Sequence, residues 1–209
     1  MKRLLVFAAT CALFCSTATV MAAGDPVAGK QKSAPCAACH NADGNSTNPE
    51  WPKLAGQNVK YSTKQLLNFK AGNDPDATIK RVNAIMNGMA APLSEQDMDD
   101  ISAYYASQAI TPAEADPDLV ALGEAIYRGG NLTTGMSACT GCHQPNGTGN
   151  PAAGFPSLAG QHAQYIETQL KAFRSMERAN DPGQMMRNIA MKMTDAEIKA
   201  VASYIQGLR

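Results

Sequence analysis

Residues 36–40 read CAACH, and residues 139–143 read CTGCH. A Cys-x-x-Cys-His run is open to three chemistries. Two Cys-x-x-Cys pairs could give four thiolates to one tetrahedral zinc ion, but such a site has no use for a histidine directly after the second cysteine in both copies. A redox dithiol of the thioredoxin kind belongs beside a strand-to-helix crossover, and no strand pattern surrounds either run. Covalent attachment of a c-type haem uses every position. Two thiols add to the haem vinyl groups across a two-residue gap, and the adjacent histidine brings its imidazole to the iron.

The wider sequence favours the haem reading. Residues 1–22 carry Lys2 and Arg3, an apolar run from Leu4 to Phe14 and a small-residue end at Val20-Met21-Ala22-Ala23. This is the layout of a cleavable secretory signal, too short in its apolar core to remain as a membrane anchor, with cleavage expected after Ala22 or Ala23. Thr10 and Phe14 precede Cys11 and Cys15 where a lipoprotein signal wants a small residue. Cleavage takes two of the six cysteines with it, so Cys36, Cys39, Cys139 and Cys142 are the whole mature set. It also leaves 16 basic against 18 acidic residues, a net charge of −2. That balance excludes the basic footprint of a nucleic-acid-binding protein.

Outward from the two motifs, the chain is written twice. His40 matches His143 at an offset of 103, WPKLAGQNVKYSTKQLLNF (51–69) matches FPSLAGQHAQYIETQLKAF (155–173) at 104, and LSEQDMDDISAYY (93–105) matches MTDAEIKAVASYI (193–205) at 100. Two units follow, 24–110 and 119–209, joined by the Pro- and acid-rich stretch TPAEADPD (111–118). Each unit reads as all-α. A helix starts at Asp25 or Pro26 and again near Asp118, and Tyr61, Gln65 and Phe69 share a face at steps of four. Ser94 and Thr194 are N-cap residues of the last helix in each unit, with Glu197 completing a capping box after Thr194. No two-residue alternation argues for a sheet.

The opposite face of each iron decides between a gas- or peroxide-binding enzyme and an electron carrier. Only His162 remains beyond His40 and His143, so two bis-histidine sites are impossible. Carrying the offset of 100 backwards pairs Met86 with Met186 and no other two methionines. These two are the expected axial partners, with Met89 and Met185 as runners-up and Met98, Met191 and Met193 read as core fillers. His162, just after Leu-Ala-Gly-Gln, reads as a helix-start or surface residue.

Modules with Cys-x-x-Cys-His near the start and a methionine before the last helix resemble class I cytochromes c. Taken with FPSLAGQ, PLSEQDMDDISAYYASQ, ACTGCHQPNGTGNPAAGFP and the terminal SYIQGL, the mature chain resembles the dihaem cytochrome c4 family over essentially its whole length. Trp51 stands where the family often has Phe. The resemblance implies two tandem class I cytochrome c domains related by pseudo-twofold symmetry. It implies two covalent haem c groups on Cys36, Cys39, Cys139 and Cys142, with axial pairs His40 with Met86 and His143 with Met186. The carbonyls of Pro52 and Pro156 would accept the ligand histidines' free N–H groups, and Tyr61, Gln65, Tyr165 and Gln169 would line the haem clefts or pack. It further implies a periplasmic electron carrier, not an enzyme, and without a small-molecule substrate. Such a carrier would be loosely held at the inner membrane, between a quinol-oxidising complex or other donor and a haem-copper terminal oxidase. The alternatives are a dihaem peroxidase-like enzyme, or a haem subunit of a larger oxidoreductase complex.

Overall fold

The computed structural model describes residues 24–209, so the signal read in residues 1–22 lies outside the described residues. The described chain is all-α: α1 (Pro26–Lys32), α2 (Ala37–His40), α3 (Val59–Ala71), α4 (Ala84–Ala90) and α5 (Glu95–Ala106), then α6 (Pro117–Gly129), α7 (Thr140–His143), α8 (Ala163–Arg174), α9 (Met185–Ala190) and α10 (Asp195–Gly207). The second five repeat the first five in order. No strand occurs among the described residues, only the isolated bridges Asn131–Met136 and Asn150–Phe155.

The helix starts follow from their capping chemistry. Asp25 accepts from Val27 N–H ahead of Pro26, and Asp116 accepts from Asp118 N–H ahead of Pro117, so both first helices pair an acidic N-cap with a proline whose missing N–H costs nothing there. The second start lies at Pro117, inside the stretch 111–118. Both last helices open with a complete capping box, Ser94 with Asp97 and Thr194 with Glu197. Aspartate fills in the first unit the place glutamate fills in the second.

Each unit is built on the crossing of its first and last helices, α1 on α5 and α6 on α10. The backbones come close because a glycine faces the crossing in each. A Cβ on Gly29 would lie 1.9 Å from the Asp100 carbonyl oxygen, and one on Gly123 would lie 2.3 Å from that of Ala200. In the C-terminal unit, Ile126, Tyr127, Ile198, Val201 and Ile205 from this crossing merge with Ile166 and Leu170 of α8 into one apolar cluster. In the N-terminal unit the crossing is partly polar. The buried Asp100 carboxylate accepts from Asp25 N–H at 2.8 Å and from Lys32 Nζ, which also pairs with Asp97. The Lys32 hydrogen bond and the Asp25 N–H hold its carboxyl below the usual carboxylate range.

The two units meet through polar contacts that repeat in both directions, as a twofold relation requires. Gln57 bonds the backbone of Ser157, and Gln161 bonds the backbone of Lys53. His162 stands at the N-cap of α8 without capping it. Its Nε2 instead donates to the Ser46 carbonyl across the interface at 2.7 Å. Among the described residues no helix is long and apolar enough to cross a membrane.

Candidate haem sites

One helical turn gathers each Cys-x-x-Cys-His motif. In α2 and α7, Cys36 and Cys139 occupy the N-cap, and each turn stops after its histidine because Asn41 (φ 62°) and Gln144 (φ 66°) swing into positive φ. The turn keeps both thiols and the ring of each motif together. None of the four cysteines is paired in a disulfide. Before any attachment, burial pushes the thiols of Cys36 and Cys139 up, the latter to about 11, which speaks against a redox dithiol of lowered pKa. Among the described residues no three or more His, Cys, Asp and Glu side chains converge on a metal-sized site.

The histidine rings are buried and held by one nitrogen each. His40 Nδ1 lies 2.9 Å from the Pro52 carbonyl oxygen, and His143 Nδ1 lies 3.1 Å from that of Pro156. A carbonyl only accepts, so Nδ1 carries the proton and Nε2 keeps its lone pair. Burial lowers both ring pKa values, against the opposing pull of these carbonyls. Each ring is therefore neutral at physiological pH with a basic nitrogen free for a metal.

Met86 and Met186 take equivalent places in the first turns of α4 and α9, both half-buried. Met186 packs against the C-terminal core cluster. Their rivals are more exposed, Met89 at 36% and Met185 at 41%.

Between the two units lies a cluster that the sequence reading only half anticipated. Arg81 stacks over Phe69 at 4.6 Å and Arg178 over Phe173 at 4.5 Å, each in its own unit. Each guanidinium then reaches across. Arg81 donates to Tyr165 Oη and Gln169 Oε1, and Arg178 to Tyr61 Oη and Gln65 Oε1. Tyr61, Gln65, Tyr165 and Gln169 thus meet as the acceptors of two arginines. Burial would push the Tyr61 phenol up, but the charges of Arg178 and Arg81 outweigh it and bring the phenol down. The signal for the arginine pair was present as Arg81-Val82-Asn83 and Arg178-Ala179-Asn180, an Arg-x-Asn repeat at an offset of 97. It hides because insertions on both sides separate it from the blocks at 104 and 100.

The fit to a c-type haem rests on this donor set. Two cysteines outside any disulfide and a neutral imidazole share one turn in each unit, and the hydrogen bonds of Arg81 and Arg178 go to neutral side chains. Arg178 is 7% exposed and hydrogen-bonds only neutral acceptors, with the charge of Asp181 nearby, so its surroundings suit a further anion. The two carboxylate groups that a haem carries are such anions.

Two all-α units in tandem, each with a Cys-x-x-Cys-His turn and a proline-held histidine, define a tandem c-type cytochrome. The family model described as "Cytochrome c" matches residues 27–109 and again 120–209. Cytochrome c4 of Stutzerimonas stutzeri is 52% identical over 195 residues, 92% of this chain and 93% of that protein. The crystal structure of reduced recombinant cytochrome c4 from Pseudomonas stutzeri superposes with a TM-score of 0.86 at 52% identity, covering 90% of this chain and 100% of that one. The chain belongs to the cytochrome c4 family. It carries two covalent haem c groups and transfers electrons to and from redox proteins. A protein described as the thiosulfate dehydrogenase electron acceptor of Thiomonas intermedia is 37% identical over 210 residues, 98% of this chain and 90% of its own.

Proposed function

We propose that this protein is an exported, periplasmic electron carrier with two six-coordinate haems. Cys36 and Cys39 attach one haem and Cys139 and Cys142 the other, with His40 and Met86, and His143 and Met186, as the axial pairs. Pro52 and Pro156 fix the histidine rings through their carbonyls, and Arg81 and Arg178 seat the haem carboxylates between the units. The bound haem iron supplies a one-electron ferric/ferrous couple. The residues do the rest. A neutral imidazole held at Nδ1 donates through Nε2 in both oxidation states, and a thioether favours the ferrous state and so raises the potential. Met86 and Met186 would take the positions at which a peroxidase-like enzyme would bind substrate, so the role we propose is that of a carrier.

The observation that carries this reading is the duplicated histidine arrangement, two buried neutral rings each tied to a proline carbonyl. As downstream partner we propose a haem-copper terminal oxidase, and as donor a quinol-oxidising complex, met while the protein is loosely held at the inner membrane. The similarity to a thiosulfate dehydrogenase electron acceptor supports a second donor class, a dehydrogenase of that kind delivering electrons to the same haems. The purified ferric protein is expected to show two haems per chain, both low-spin, with the near-infrared band of methionine-to-iron ligation at the intensity of two sites. A high-spin haem that binds added cyanide or peroxide rapidly in the native protein would overturn the carrier reading. Stopped-flow oxidation by a terminal oxidase, against reduction by a thiosulfate-oxidising enzyme, separates the partner classes.

A further inference from the structure

The two glutamines of the Leu-Ala-Gly-Gln repeats do more than join the units. Gln161 Oε1 accepts from Lys53 N–H at 2.8 Å, and its Nε2 donates to the Lys53 carbonyl at 2.8 Å. In mirror image, Gln57 Oε1 accepts from Ser157 N–H at 2.8 Å and its Nε2 donates to the Ser157 carbonyl at 2.9 Å. The amide orientation is forced, because turning either group over would set donor against donor and acceptor against acceptor. Both glutamines are buried, Gln57 at 8% and Gln161 at 5% exposure, and the two bonds of Gln161 are fully buried while those of Gln57 are partly so, which strengthens them relative to exposed bonds of their type.

What matters is which peptide each glutamine grips. The N–H of Lys53 belongs to the same amide as the carbonyl of Pro52, and that carbonyl accepts from His40 Nδ1–H. The N–H of Ser157 likewise shares its amide with the Pro156 carbonyl that accepts from His143. A chain of two hydrogen bonds therefore runs through one peptide unit, from the imidazole of one half to the glutamine of the other. An amide whose N–H is already donated has a more negative oxygen, and hydrogen bonds in series strengthen one another in this way. A stronger pull on Nδ1–H makes Nε2 a better donor to the iron and favours the ferric state.

We infer that Gln161 and Gln57 are crossed positioning residues, each tuning the axial histidine of the opposite half through the Pro52–Lys53 and Pro156–Ser157 peptides. The inference rests on the assignment of His40 and His143 as iron ligands. Its consequence is that neither half sets its electron affinity alone. Part of the potential of each haem is written in the other half, and any movement at the interface reaches both.

The test uses the intact dihaem protein labelled with 15N-histidine, where the mature chain offers only His40, His143 and His162. In the unmutated ferrous protein, His40 and His143 must show the strongly shifted ring resonances of iron-bound imidazole; if either does not, the ligand assignment and this inference fall together. Given that assignment, Gln161→Leu is expected to move the Nδ1–H resonance of His40 upfield and leave that of His143 in place. The ferric-to-ferrous ratio of the N-terminal haem at fixed potential should fall by about twofold to fivefold. Gln57→Leu should do the same to His143, so the mirror variant serves if one protein is unstable. Lys60→Ala, which removes the interface bond to the Ala152 carbonyl outside this relay, is the structural control and should move neither resonance. The inference is overturned if Gln161→Leu keeps two low-spin haems with the His40 resonance and potential unmoved, or if the histidine that responds lies in the same half as the substitution.

Discussion

At the scale of single residues, choosing methionines depended on register, not on composition. Ile85, Met86 and Met89 lie within five positions of one another, as do Met185, Met186 and Ile189, so only the mapping of one unit on the other separated the proposed ligand from its neighbours. The half-buried state of Met86 and Met186, beside the more exposed Met89 and Met185, runs the same way. Met186→Ala should remove half of the near-infrared ligation band and lower the C-terminal haem's potential, while Met185→Ala should leave both unchanged. Spectroelectrochemical titration of the two variants reads this directly. Reversal of the two outcomes would show that the register is one residue off.

At the scale of elements, close crossing of the first and last helices sets the frame on which each Cys-x-x-Cys-His turn is hung. Gly123 allows that approach, and a methyl group 2.3 Å from the Ala200 carbonyl oxygen can be housed only by parting α6 from α10. Gly123→Ala is therefore expected to destabilise the C-terminal unit by about 1–3 kcal/mol, seen as a lower denaturant midpoint. This role was not legible beforehand, since a glycine inside a helical stretch looks the same whether it faces solvent or another backbone. The N-terminal crossing predicts a pH effect. The carboxyl of Asp100 titrates lower folded than unfolded, so its contribution is full above the unfolded carboxylate value of about 4 and is lost as pH falls through the folded value. Asp100→Asn should cost about 1–3 kcal/mol at pH 7 and flatten the loss of stability below about pH 4, a difference that unfolding curves from pH 7 to pH 2 would measure.

At the scale of the whole molecule, the interface carries the positive charge of Arg81 and Arg178. Arg81 and Arg178 share the acceptors Gln65 and Gln169, with Asn180 completing the net to Gln65 and Asn68. If Arg178 seats haem carboxylates between the units as proposed, replacing it by Gln takes a buried cation from near both haems and disfavours added electrons on each. Both midpoint potentials should fall, by an amount on the order of 1 kcal/mol per haem, in a redox titration resolving the two sites. A fall confined to the C-terminal haem would limit Arg178 to its own unit.

The sequence by itself determined the parts that depend on local chemistry. Spacing of Cys36, Cys39 and His40, and of their counterparts, specified the Cys-x-x-Cys-His turns; capping residues specified where helices begin; and repetition specified two units and singled out one methionine pair. Those features need only neighbours along the chain or a second copy for comparison. The tertiary structure alone decided what the halves do to each other. Gln161 grips the peptide beside Pro52 across 108 residues, and Arg178 meets Tyr61 across 117; the repeats mark these residues in both halves but do not announce their partners. Hydrogen bonds act over about 3 Å, so their partners are fixed by which surfaces the fold brings together, and not by how far apart the residues are written.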